Sequence, residues 1–152
     1  MKKILLITLP VIVWGVIYLN WPFSSSQIIN GAGKVTVYKS PTCGCCVSYI
    51  ALLKQQGYEV ETIATEDMTN IKQEYGISSD MESCHTAVFG NYVVEGHVPF
   101  EAIEKLLEEK PDIRGIALPE MPAGSPGMPG VKGEPFTVYA LSDQEPSIYW
   151  QQ

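Results

Sequence analysis

A chain of 152 residues that is 45% hydrophobic and 18% charged has the composition of a globular protein, long enough for one domain with a real core. Its net charge of −7, with no basic run after the N-terminus, argues against binding to nucleic acid. An acidic balance suits the handling of cations, although most acidic domains are simply soluble.

Lys2 and Lys3 precede an apolar stretch from Ile4 to Leu19 that ends near Trp21-Pro22. This is the charged region followed by an apolar region of a secretory signal. Ser24-Ser25-Ser26 supplies small residues for cleavage, but no A-x-A is present. The stretch is also nearly long enough to span a bilayer, so an uncleaved anchor with cytoplasmic lysines is the alternative. Both readings place the rest of the chain in the periplasm or an equivalent extracytoplasmic space. Contact with a membrane is then expected only through this segment. Residues 1–23 are thus read as signal or anchor, 24–33 as a polar linker, 34–141 as the domain, and 142–152 as a tail or edge strand.

The domain opens on Lys34-Val35-Thr36-Val37-Tyr38, which alternates with period two and is rich in β-branched residues, a strand pattern. Three of the four cysteines follow in Cys43-Gly44-Cys45-Cys46. Cys46, Tyr49, Ile50 and Leu53 then recur at helical spacing to about Gln56, with Gly57 as the stop. Cys43 therefore lies at a helix N-terminus, where free N–H groups and the dipole favour a thiolate. Cys43 and Cys46 form a C-x-x-C pair, the expected local disulfide and the catalytic pair if the site is redox-active. Cys45 is a third sulfur that a simple dithiol enzyme does not need.

A second strand is expected over Tyr58 to Ile63 and a short helix over Asp67 to Tyr75, followed by a polar loop ending in Cys84-His85. Thr86–Phe89 and Tyr92–Glu95 flank Gly90-Asn91, a hairpin signal. Pro99 opens a helix to about Lys110, with Phe100, Ile103, Leu106 and Leu107 on one side. Phe136–Leu141 and Ile148-Tyr149-Trp150 read as a closing hairpin. The order β-α-β-α-β-β-α is that of an α/β, thioredoxin-like core. Here it carries a Pro/Gly/Met loop and a C-terminal β hairpin. In that arrangement the loop entering the third strand passes beside the first βα turn, so topology would bring Cys84 to the other three cysteines. Thioredoxins place a proline in that loop to shape a substrate groove. This chain has Cys84-His85-Thr86, which counts against routine disulfide exchange and for ligand binding.

Four segments carry a resemblance: Lys39 to Cys46, Ser83 to Ala87, Val93 to Pro99, and Gly115 to Met128. They are similar to those of the small exported thioredoxin-like proteins with a Cys-Gly-Cys-Cys motif. That family has been classed as a domain of unknown function and includes CopG-type copper-resistance proteins. The resemblance implies an extracytoplasmic copper protein. It leaves open storage, relay, reduction or sensing of copper.

Among candidate ligands, soft thiolates and thioethers favour Cu(I), while four thiolates alone also suit zinc. The metal site is read as Cys43, Cys45, Cys46 and Cys84, with more than one ion allowed because sulfur can bridge metals. His85 beside Cys84 is a further ligand or partner, or a backbone cap. Met121 and Met128, in a loop of prolines and glycines, are ligands or packing lids. His97 is assigned a secondary role or a helix cap. Glu108, Glu109, Asp112 and Glu120 read as a solvated face. The leading function is copper binding in copper tolerance, with copper ions and another extracytoplasmic copper protein as partners. The rival is a thiol-disulfide oxidoreductase acting on copper proteins or on copper itself. A third reading is a disulfide-stapled interaction module.

Overall fold

The computed structural model describes residues 33–152. Residues 1–23, expected to be a signal or anchor, and all but the last residue of 24–33, expected to be a linker, lie outside the described residues. Among the described residues no helix is long and apolar enough to cross a membrane.

The chain runs β1 (Lys34–Lys39), α1 (Gly44–Gln55), β2 (Glu59–Ala64), α2 (Met68–Glu74), β3 (His85–Phe89), β4 (Tyr92–Glu95), α3 (Phe100–Glu109), β5 (Gly115–Ala117), β6 (Thr137–Leu141) and β7 (Ser147–Gln151). The expected β-α-β-α-β-β-α order is present within this α/β fold, and the C-terminal hairpin is β6–β7. β5 was not anticipated: Gly-Ile-Ala is too short to show a period, and it becomes a strand because β4 and β6 pair with it on either side.

All strands join one sheet in the order β2-β1-β3-β4-β5-β6-β7. Strand alternation sorts side chains to two faces. On one face, Val35, Val37, Ala87, Phe89, Val94, Ile116 and Val138 meet Tyr49, Ile50 and Leu53 of α1 and Ala102, Ile103 and Leu106 of α3. A smaller cluster of Val93, Ala117 and Leu141 with Ile77 and Met81 forms on the other. The buried side of α1 consists of Cys46, Tyr49, Ile50 and Leu53, the four residues whose spacing marks the helix in the sequence.

Two features of this frame position the site. β3 runs antiparallel to β1 with Lys39 opposite His85, so the cysteine turn leaving β1 lies beside the loop entering β3. The segment from Pro119 to Pro135 holds neither helix nor strand, and it folds back onto α1. At Gly127 (φ +81°) a Cβ would lie 2.7 Å from the backbone nitrogen of Tyr49, so only glycine permits this approach.

Gly127→Ala should therefore lift this loop off α1. Urea unfolding is expected to show a loss of roughly 1–3 kcal/mol from the strained backbone alone.

Candidate metal centre

The first turn of α1 and the loop before β3 bring all four cysteines together. Their sulfurs lie within 4.8 Å of one another. Cys43 is the N-cap of α1, and its Sγ accepts from the Cys46 N–H at 3.4 Å. Cys43 Sγ is 3.4 Å from Cys45 Sγ, and Cys84 Sγ is 4.0 Å from Cys45 Sγ and 3.6 Å from Cys46 Sγ. A disulfide joins Cys43 to Cys46, and Cys45 and Cys84 are free. Cys46 is fully buried, whereas the other three are partly exposed. The disulfide closes a single helical turn, so it does not staple distant segments.

Both histidines of the chain converge on Cys84. His97 Nε2 lies 2.9 Å from Cys84 Sγ and His85 Nδ1 lies 3.3 Å from it. His97 Nδ1 is 2.6 Å from the Pro126 carbonyl oxygen. A carbonyl can only accept, so the proton sits on Nδ1 and the Nε2 lone pair faces the sulfur. His97 is thus more central than its sequence position suggested, and the N-terminus of α3 is capped by Pro99 with no side-chain bond. His85 is enclosed, and its Nε2 has no hydrogen-bond partner among the described residues. The Tyr49 ring lies between the two imidazoles and Phe100, with centroids 4.6, 5.2 and 5.7 Å away, and its hydroxyl donates to the Val98 carbonyl at 2.9 Å. One helical residue therefore ties α1 to the His97 segment.

Burial governs the proton affinities. It holds the Cys84 thiol well above its ordinary range, reinforced by the neighbouring Cys45. It also depresses His97, against the pull of the Pro126 carbonyl. Burial, with the charges of His97 and Lys72, lowers His85 to about 3. The metal-free pocket accordingly favours neutral imidazoles and a protonated Cys84.

Behind Cys84, on the other face of the sheet, lies a buried polar group that sequence reading did not single out. Glu95 accepts from the Ser83 N–H at 2.7 Å and from the Thr86 hydroxyl at 2.6 Å, and it pairs with Lys72. The Lys72 ammonium also donates to the Ser83 carbonyl at 2.9 Å. Both backbone polar groups of the residue preceding Cys84 are therefore held by one ion pair. Burial pushes the Glu95 carboxyl upward; Lys72, Thr86 and Ser83 pull it back without cancelling the rise. At Gly96 (φ +79°) a Cβ would lie 2.5 Å from the Ser83 hydroxyl and from the Leu118 carbonyl oxygen, so the loop is also gripped there.

The two methionines differ in placement. Met128 is half-buried on the loop that packs against α1, and Met121 is 45% exposed. Glu108, Glu109, Asp112 and Glu120 are all exposed, as a solvated face requires.

A family model described as a protein of unknown function, DUF411, matches residues 81–128. Two solved structures, copper resistance protein copG in forms 1 and 2, match with TM-scores of 0.72 and 36% identity. The matches cover 78% of this chain and 96% and 97% of those chains. The chain belongs to the CopG-type copper-resistance family. No curated protein matches the sequence. For this CopG-type chain, a cluster of thiols with adjoining imidazoles is a donor set of the kind that soft metals take. The unpartnered, buried Nε2 of His85 is a lone polar atom of the sort a bound ion or water would satisfy.

Two outcomes are expected. Glu95→Ala leaves the Lys72 ammonium buried without a counter-charge and should cost about 3–5 kcal/mol in denaturant unfolding. The second concerns acid. Unfolded histidine titrates near 6.5, whereas folded His85 does so at about 3. The unfolded chain then binds the proton first, so stability present above about pH 6.5 is lost as pH falls toward 3. His85→Phe should remove most of that slope in unfolding midpoints of metal-free protein. An unchanged slope would assign the acid sensitivity to other groups.

Proposed function

We propose that the reduced chain binds Cu(I) through Cys43, Cys45, Cys46 and Cys84 in an extracytoplasmic compartment, in the service of copper tolerance. The convergence of four sulfurs from two distant segments within 4.8 Å is the observation that carries this reading. Thiolate sulfur favours Cu(I) among the available metals, and sulfur can bridge more than one ion. His97, with its lone pair turned to Cys84, completes the donor set or holds Cys84 in place. His85 stands on the other side of the same sulfur. Met128 and Met121 are the outer thioether candidates. The lysine-flanked apolar N-terminus supports export.

The observed Cys43–Cys46 disulfide favours a second activity on the same atoms. Two of the four thiolates are withdrawn when that bond forms, so copper loading and thiol oxidation exclude each other. A thiol-disulfide oxidoreductase with Cys43 and Cys46 as its reactive pair, acting on a copper protein or on copper, uses the same pocket.

Anaerobic titration of reduced protein with Cu(I) is expected to produce a sulfur-to-copper charge-transfer band. Cys45→Ser should weaken binding, and His97→Ala should weaken it on the order of tenfold. Copper binding left intact by Cys45→Ser, together with lost disulfide reductase activity, would hand the site to the oxidoreductase reading.

A further inference from the structure

The four sulfurs are not equivalent toward one another in the oxidised state. Cys46 is fully buried, so a thiol in solution can reach the disulfide only at the partly exposed Cys43. One free thiol does touch the buried sulfur from inside: Cys84 Sγ is 3.6 Å from Cys46 Sγ, and a side-chain rotation that brings it into line with the Cys43–Cys46 bond would complete the approach. Its proton has an acceptor at contact distance, since His97 Nε2 lies 2.9 Å away. The leaving sulfur is also provided for, because Cys43 Sγ already accepts the Cys46 N–H at the N-terminus of α1.

We propose that Cys84 is an internal resolving thiol that moves the disulfide from Cys43–Cys46 to Cys46–Cys84. Cys84 rests protonated, and the exchange runs through the small thiolate population that forms when its proton passes to His97 Nε2. The resulting thiolate attacks Cys46 Sγ, the Cys43–Cys46 bond breaks, the Cys46–Cys84 bond forms, and Cys43 leaves as a thiolate. No external oxidant or reductant is consumed, because one disulfide and two thiols are present before and after. The competing route, attack by Cys45 on Cys43 at 3.4 Å, would tie the N-cap to the second residue of α1 and disrupt its first turn. Cys46–Cys84 instead links α1 to the loop before β3, where the two sulfurs already meet. The consequence is an oxidised protein that still presents a partly exposed sulfur, Cys43 at the helix mouth, as a nucleophile toward an incoming disulfide or a soft metal. The exchange belongs to metal-free protein and stands or falls apart from copper binding.

The test is disulfide mapping of the metal-free full chain. Reduced protein is given one equivalent of diamide, quenched in acid, alkylated with N-ethylmaleimide, and digested with pepsin for mass spectrometry. Peptides linked through Cys46–Cys84 are expected beside those linked through Cys43–Cys46, with Cys43 alkylated in proportion. Cys84→Ser should lower the alkylation of Cys43 at least roughly tenfold, since only the local disulfide then remains. Wild-type protein in which Cys84 is fully alkylated, with no Cys46–Cys84 linkage, would overturn the proposal without reliance on any variant. So would Cys43–Cys45 as the only shifted disulfide. Copper titration of the same preparation, run separately, reports on the metal site alone.

Discussion

The antiparallel register of β1 with β3 is the constraint on which the site depends. Lys39 opposite His85 sets the end of one strand against the start of the other. The cysteine turn leaves at that point and the Cys84 loop arrives there. A slip of one residue would send His85 to the opposite face of the sheet and carry Thr86 toward Tyr49 in its place. The hydrophobic set fixes the register, since Val35, Val37, Ala87 and Phe89 must all face α1 and α3 together.

Cys84 is held from two sides by different chemistry. Behind it, the Lys72–Glu95 pair fastens both backbone groups of Ser83. A buried ion pair is weak evidence for stability in itself, because desolvation offsets most of the attraction. Its value here is geometric: it satisfies a loop that has no strand partner of its own. In front, His97 is turned toward the sulfur by the Pro126 carbonyl, and the segment bearing Pro126 rests on α1 through Gly127. The Pro/Gly/Met loop therefore sets the orientation of an imidazole, whatever its methionines contribute.

Metal binding and disulfide chemistry draw on the same four atoms in this pocket. Sulfurs within 4.8 Å can surround a soft ion or exchange a bond, but one sulfur cannot do both at once. The pocket's burial pushes Cys84 and both histidines toward their neutral forms. Copper would compete against protons at Cys84, and that competition links loading to pH as well as to oxidation. Membership of a copper-resistance family is in keeping with a pocket of soft donors.

The helices, most strands and the cysteine turn were legible in the sequence because each rests on local spacing. The Cys46-Tyr49-Ile50-Leu53 stripe, the Gly90-Asn91 hairpin and the C-x-x-C pair are patterns within a few residues. The arrival of Cys84 was also legible, though only through the expected strand order. What local pattern could not carry was decided by tertiary pairing. β5 is a strand only because two neighbours hold it. Glu95 looks like the end of a hairpin until Lys72, 23 residues earlier, closes over it. His97 looks like a helix cap until Pro126, 29 residues later, fixes its proton and aims the other nitrogen at Cys84. The sequence by itself determined which donors this protein owns and where its backbone turns. The tertiary structure alone decided which of those donors share one pocket, because burial and long-range contact set the tautomer, the charge and the distance of each.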